Sequence, residues 1–306
     1  MKTFNSILCV AFLLFVGATV ISCSKDDGIE PLPDWWFEEE GGSDSGDKDL
    51  VSLETADNIV VAHRGGSTEA GEKANPDNSF ASLRYAISLN CYASECDIYW
   101  TSDNNVIVAH ADSKCQINGL YPWEHTLAEI QAAGKLSNGE TVPSLGDYLD
   151  VLLKESKCTK LWMDIKNITY PSTLTKHTIS ACKRACEIIT QKKANNCVEF
   201  ICTGNSTVMA SSFLYATTAG IPIGWMSASS PSVYSGNGYR WANLSYTYMT
   251  HDGGVLSVES FLNAGINLSV FVIDDTTLMD YYISYGSKLK AITTNYPKIL
   301  LRKMGK

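Results

Sequence analysis

The stretch ECDIYWTSDNNVIVAHAD, residues 95 to 112, sets Glu95 and Asp97 into an otherwise apolar, strand-like run. Alternate residues of a strand share a face, so the two carboxylates point the same way. About 6 Å apart at an effective dielectric near 20, their charges would repel by about 3 kcal/mol, so something cationic must sit between them. A third acid, Asp164, lies in the run LWMDIKN, two residues before Lys166. Three hard carboxylate oxygens drawn from two strands suit Mg²⁺ or Ca²⁺, with water and substrate oxygens completing the shell. Arg64 and Lys166 then have work to do in binding an anion beside that cation, and a phosphate fits both groups. His63, at the end of NIVVAHRGG, and His110, at the end of NVIVAHA, supply proton-transfer groups suited to neutral pH.

These residues need a scaffold that collects strand ends. From residue 57 onward, short β-branched runs alternate with amphipathic stretches. Strands are expected in NIVVAHRGG, ASECDIYW, NVIVAHA, CTKLWMDIKN, CVEFICTGN, IPIGWMSA, YTYMTHDGG, INLSVFVIDD and KAITTNYP. Helices are expected in NSFASLRYAISLN, SLGDYLDVLLKE, TKHTISACKRACEIITQKK, STVMASSFLYATTAG, SVESFLNAG and TLMDYYISYG. A strand followed by a helix, about eight times over some 250 residues, has the size and rhythm of an α/β fold of the (β/α)8 TIM-barrel type. An open doubly wound sheet is the alternative, but no GxGxxG follows the first strand. In a barrel the strand ends carrying His63, Arg64, His110, Asp164, Lys166 and Asn205 meet on one face. The chain has no GxSxG elbow, Walker loop or HExxH, so nothing points to serine hydrolase, nucleotide hydrolase or zinc protease chemistry.

The segment 1–22 (MKTFNSILCVAFLLFVGATVIS) has a Lys, an apolar run and small residues, the layout of a secretory signal, and is too short to span a membrane. Residues 23–56 open on Cys23 and continue as an acidic tether without apolar periodicity. Between 24 and 50 there are ten acids against two lysines, so nearly all of the chain's net charge of −9 lies there. The acidic balance therefore says little about the substrate of the 57–306 domain, and without a basic stripe there is no support for nucleic acid as a partner. Cys9 falls in the signal, leaving eight cysteines in the body besides Cys23. They include no CxxC pair, and their pairing stays open.

VISC, ending at Cys23, resembles the lipobox of bacterial lipoproteins, which implies lipidation at Cys23 and anchoring in the cell envelope, at the outer membrane, facing the periplasm or the surface. An ordinary signal peptide with an incidental Cys is the alternative. The following SKDD is similar to the acidic sorting signal of some surface lipoproteins. The body resembles the glycerophosphodiester phosphodiesterase family nearly end to end. AHRGG resembles the opening HRG motif and NPDNSFASLRYAI the PENT segment with its helix. ECDIYWTSDNNVIVAHAD resembles the block ending in the second His, TVPSLGDYLDVL the helix after it, LWMDIKN the next strand, and VFVIDD and ITTNYP the last two segments.

This resemblance implies a TIM barrel that cleaves a small-molecule phosphodiester with a divalent cation. It places the metal ligands on Glu95, Asp97 and Asp164, the catalytic pair on His63 and His110, and the phosphate contacts on Arg64 and Lys166. The sequence departs from the family at several points. The PENT Glu is Asp77, the third metal ligand is the shorter Asp164, and the Asp after the second His is displaced to Asp112. The late Trp is Phe271 and the late Asp is Asn295. The insertion after the second His is brief, which leaves glycerol-type specificity open. The rival readings are a barrel phospholipase of the phosphatidylinositol-specific type and a non-catalytic lipoprotein that captures phosphorylated ligands. His125 and His177 are expected at the surface. His251 is expected to rim the pocket or stand free, and Trp225 to wall it or fill the core.

Overall fold

The computed structural model describes residues 50–306; the signal, Cys23 and most of the tether lie outside the described residues. Nine strands follow one another among the described residues. They are β1 (Val60–Ala62), β2 (Ala93–Trp100), β3 (Val106–Val108), β4 (Lys160–Ile165), β5 (Val198–Cys202), β6 (Ile223–Trp225), β7 (Trp241–Ser245), β8 (Asn267–Phe271) and β9 (Ala291–Thr294). All but β3 are parallel, and β1 pairs both with β2 (Val61↔Ala93) and with β9 (Val61↔Thr293). That double pairing closes an eight-stranded barrel, with helices following the strands as the alternating pattern implies. β3 runs antiparallel to β2, with Ile98 opposite Val108, and returns the chain so that His110 comes back toward Asp97.

The strands are nearly continuous apolar runs because both of their faces are buried. Inside the barrel, Val61, Ala93, Trp162, Ile201, Trp241 and Ala291 pack as one middle layer. The indoles of Trp162 and Trp241 meet edge to face at 4.8 Å. This layer explains Gly224, where a Cβ would stand 2.5 Å from the Trp241 ring. Below it, at the strand starts, Glu199 accepts from Tyr92 Oη (2.7 Å) and pairs with Lys160 (3.1 Å) and Lys290 (2.9 Å). Above it, at the strand ends, stand the acids of the candidate site.

Two expectations about elements need correcting. The seventh strand is Trp241–Ser245, and the expected strand YTYMTHDGG is instead two 3-10 turns, Tyr246–Tyr248 and Thr250–Asp252. WANLS is buried along its length except at its last residue, whereas Tyr248 is 45% exposed, so burial selected the more polar segment. The strand expected to run through CVEFICTGN ends at Cys202, and Asn205 is the N-cap of the helix Ser206–Thr218, accepting from Val208 N at 2.9 Å. The eight body cysteines are all free thiols, six of them buried.

Candidate active site

The turn after β1 creates the first half of the site. His63–Gly65 form a 3-10 turn in which Arg64 is left-handed (φ 49°, ψ 33°) and Gly65 follows at φ +83°. A Cβ on Gly65 would fall 2.6 Å from the backbone carbon and side chain of Ser82, so the turn lies directly against the helix Phe80–Ser88. A non-glycine residue in this region costs about 1–3 kcal/mol. What it gains is direction: Arg64 N–H donates to Glu95 Oε2 at 2.8 Å, and the guanidinium is left free to reach across the site.

The second half comes from two neighbouring strands. In the β2–β4 register Asp97 stands opposite Asp164, and Glu95 opposite Trp162. All three acids are buried, and one oxygen from each lies within 4.8 Å of the others. Asp97 is the most supported. Its Oδ2 accepts from Asn78 Nδ2 at 2.8 Å and faces Arg64 Nε at 3.5 Å, and its Oδ1 meets Lys166 Nζ at 2.7 Å. Lys166 Nζ also donates to Asp164 Oδ2 at 2.6 Å. Asp164 Oδ1 is buried with no hydrogen-bond partner among the described residues. Arg64 Nη1 donates to Asp77 Oδ2 at 2.9 Å, so its guanidinium lies between Asp77 and Asp97.

The electrostatics follow from this seating. Burial and the neighbouring Asp97 charge push Glu95 well above the usual carboxylate range. Burial acts the same way on Asp164 and, despite Lys166, leaves it raised. Burial would also raise Asp97, but the positive charges of Lys166, His110 and Arg64 override it and hold Asp97 low. Burial works against the charge on Lys166, but Asp164 and Asp97 outweigh it and hold the ammonium protonated. Three buried carboxylates share two close cations, and Glu95, which touches neither cationic head, bears the deficit.

A hard divalent cation fits this donor set. The oxygens are carboxylates, they converge, and Asp164 Oδ1 is an orphaned buried acceptor. His63 sits at the same edge, with Nε2 3.9 Å from Glu95 Oε2 and Nδ1 2.7 Å from Asn295 Oδ1. Burial lowers its affinity for a second proton, and the Asn295 bond only partly offsets this. His110 is exposed, and desolvation lowers its pKa while Asp97 works the other way.

The structure thus brings His63, Arg64, Glu95, Asp97, His110, Asp164 and Lys166 to one end of the barrel. Trp225 packs outward against Tyr234 and Tyr239, and His251 stacks flat on Tyr281 at 3.6 Å. His177 is not a plain surface group, because its ring stacks on both Trp100 and Trp123. Asn78, not among the expected site residues, is a buried left-handed residue (φ 59°) that also accepts from Asp97 N at 3.0 Å. Its signal was present in NPDNSF, where an amide directly follows the Asp77 that binds Arg64.

No protein-family model matches the chain, and no curated protein matches it by sequence. Solved structures do. A glycerophosphodiester phosphodiesterase from Parabacteroides distasonis shares 23% identity at a TM-score of 0.69, covering 82% of this chain and 98% of that one. An Oleispira antarctica phosphodiesterase in complex with the product sn-glycerol-3-phosphate shares 18% at a TM-score of 0.63, covering 83% and 98%. A glycerophosphodiester phosphodiesterase from Thermotoga maritima shares 15% at 0.56, covering 80% and 98%. At these identities the likeness establishes the fold: the chain is a (β/α)8 barrel that spans nearly the full length of each of these proteins.

Proposed function

We propose that this chain is a cation-dependent phosphodiesterase of the glycerophosphodiester phosphodiesterase type, which hydrolyses glycerophosphodiesters to an alcohol and glycerol phosphate. The observation that carries this reading is the convergence of Glu95, Asp97 and Asp164 within 4.8 Å, beside two histidines, Arg64 and Lys166. The barrel likeness to enzymes of this activity supports it, one of them binding sn-glycerol-3-phosphate as product.

Glu95, Asp97 and Asp164 would hold Mg²⁺ or Ca²⁺, which supplies Lewis-acid polarisation of the phosphoryl group and charge neutralisation. The chain's own residues do the rest. The Arg64 guanidinium and the Lys166 ammonium bind phosphoryl oxygens and turn the diester toward the histidines. Of His63 and His110, one takes a proton from the attacking water or neighbouring substrate hydroxyl, and the other protonates the leaving oxygen. Asn78 keeps Asp97 aimed into the site from both its N–H and its carboxylate.

Turnover of glycerophosphocholine and bis(p-nitrophenyl) phosphate, with and without chelator, tests the reading. Chelator-sensitive turnover that falls by orders of magnitude in His63→Ala and in His110→Ala supports it. Wild-type turnover in either variant refutes the histidine roles, and no turnover of any diester refutes the enzyme. A cyclic phosphate product would assign attack to a substrate hydroxyl instead of water.

We further propose that Cys23 is lipidated and tethers the barrel to the bacterial cell envelope, which the lipobox-like VISC and the acidic stretch after it support. Incorporation of labelled palmitate that disappears in Cys23→Ala tests this.

A further inference from the structure

We infer that Asp274 is a positioning residue that acts through Asn295 to fix His63 in the Nδ1–H tautomer, making His63 the base of the pair. The inference rests on the proposed phosphodiesterase chemistry for the word base, but not for the tautomer.

The chain of bonds is directional. Asp274, in the loop after β8, receives three donors. Its Oδ1 accepts from Asn295 N at 2.9 Å and Thr294 Oγ1 at 3.0 Å, and its Oδ2 accepts from Asn295 Nδ2 at 2.7 Å. Thr294 Oγ1 in turn accepts from Tyr296 N at 3.0 Å, which leaves its own proton for Asp274. The backbone holds the two segments together, with Ile273 N donating to Thr293 O at 2.8 Å.

An amide beside such a carboxylate has one acceptable orientation. Turned over, Asn295 would set its Oδ1 against Asp274 Oδ2 at 2.7 Å, two acceptors without a proton between them. Its NH₂ therefore faces Asp274 and its Oδ1 faces His63 Nδ1, 2.7 Å away. An amide oxygen only accepts, so Nδ1 carries the proton and the Nε2 lone pair is presented to the site, on the side of Glu95. With its Nε2 lone pair held toward the site in this way, His63 takes the proton-accepting step, and among the described residues no hydrogen bond orients His110 in the same manner.

The carboxylate is thus one residue removed from the imidazole, and a neutral amide relays its orientation. Side-chain exchange tests this cleanly because Asp and Asn are nearly isosteric. In Asp274→Asn the new amide keeps its oxygen toward Asn295 N and presents NH₂ to Asn295, which turns over and donates to His63 Nδ1. The proton then moves to Nε2. In the double variant Asp274→Asn/Asn295→Asp, Asn at 274 donates to Asp at 295, which accepts from His63 Nδ1–H and restores the original tautomer.

The readout is two-bond ¹H–¹⁵N correlation on ring-labelled histidine at about pH 8, where imidazoles are ordinarily neutral. Single His→Gln variants assign the five histidines. The expected pattern is Nδ1–H for His63 in the wild type, Nε2–H in Asp274→Asn and Nδ1–H again in the double variant. Parallel kcat values should fall on the order of 10²–10⁴-fold in the single variant and recover in the double, with KM little changed. An Nε2–H wild type, an unmoved tautomer in Asp274→Asn, or a folded double variant that stays Nε2–H overturns the inference. A tautomer that switches as expected in a protein with no phosphodiester turnover leaves the positioning role standing and removes only the proposed activity.

Discussion

Asp97 and Asp164 face each other in register on adjacent parallel strands, and one ammonium, Lys166 Nζ, reaches both, at 2.7 and 2.6 Å. Lys166 therefore stands where an added cation would also draw on these oxygens. Lys166→Met should cost the cation-free protein about 3 kcal/mol, because two buried carboxylates are left confronting one another. Added Mg²⁺ or Ca²⁺ should then raise the melting temperature of the variant more than that of the wild type. Thermal unfolding with chelator and with each cation measures both effects, and equal rises in the two proteins would show that ammonium and cation do not share the site.

The short side chain of Asp164 bears on the same site. Its Oδ1 is buried and has no partner among the described residues, so it has a lone pair to offer a cation without giving up any bond there. Asp164→Asn preserves size and removes the charge. It should raise the cation concentration needed for half-maximal phosphodiester turnover by at least about tenfold. Saturating cation should stabilise the wild type by about 2.7 kcal/mol at a hundredfold excess over its dissociation constant, and the variant by less. Titration calorimetry with Mg²⁺ and Ca²⁺ gives the affinities directly, and unchanged binding in the variant would remove Asp164 from the ligand set.

Gly65 links the scaffold to the chemistry. Alanine there combines φ +83° with a Cβ 2.6 Å from Ser82, so Gly65→Ala should lose about 2–4 kcal/mol. The shift it forces also draws Arg64 N away from Glu95 Oε2, so activity should fall further than stability alone explains. Gly119 provides the comparison, at φ +78° but with open space where a Cβ would go. Gly119→Ala should cost only about 1–2 kcal/mol and leave turnover intact. Chemical denaturation and turnover of the two variants side by side separate strain from displacement.

Most of the acid site was legible in the sequence because ionisable groups interrupting apolar strands have few structural reasons to be there. Glu95, Asp97 and Asp164 break runs that are otherwise closed to water, and the barrel rhythm sends those strand ends to one face. What escaped was set by contacts distant in the chain. Asp274 reads as an ordinary loop acid, and its role exists only because β8 and β9 bring it to Asn295. His177 read as a surface residue because nothing local reveals that Trp100 and Trp123 sandwich it. The seventh strand was misplaced because Asn243 and Ser245 make WANLS look less strand-like than the aromatic alternation of YTYMT. Asn243 is nonetheless buried inside the barrel, where Ser269 Oγ donates to its Oδ1 at 2.8 Å.

At the opposite end of the barrel the charge is structural, and its pH dependence has a definite sign. Burial alone would raise Glu199, but Lys290 and Lys160 override it and hold its carboxyl below the ordinary value of 4.5. A folded-state pKa below the unfolded one adds stability that is complete above the unfolded value and is lost as pH falls through the folded value. Glu199→Gln should therefore destabilise by about 3 kcal/mol near neutral pH, where it leaves two partly buried ammoniums unpaired. The gap between variant and wild type should begin to close as the pH drops below the ordinary value of 4.5 and vanish once the pH has fallen through the lowered folded-state value, where the wild-type carboxyl is also neutral. Urea unfolding of both proteins across this range follows the gap directly. A difference that stays constant with pH would mean that Glu199 is held by its Tyr92 hydrogen bond and packing instead of by its charge.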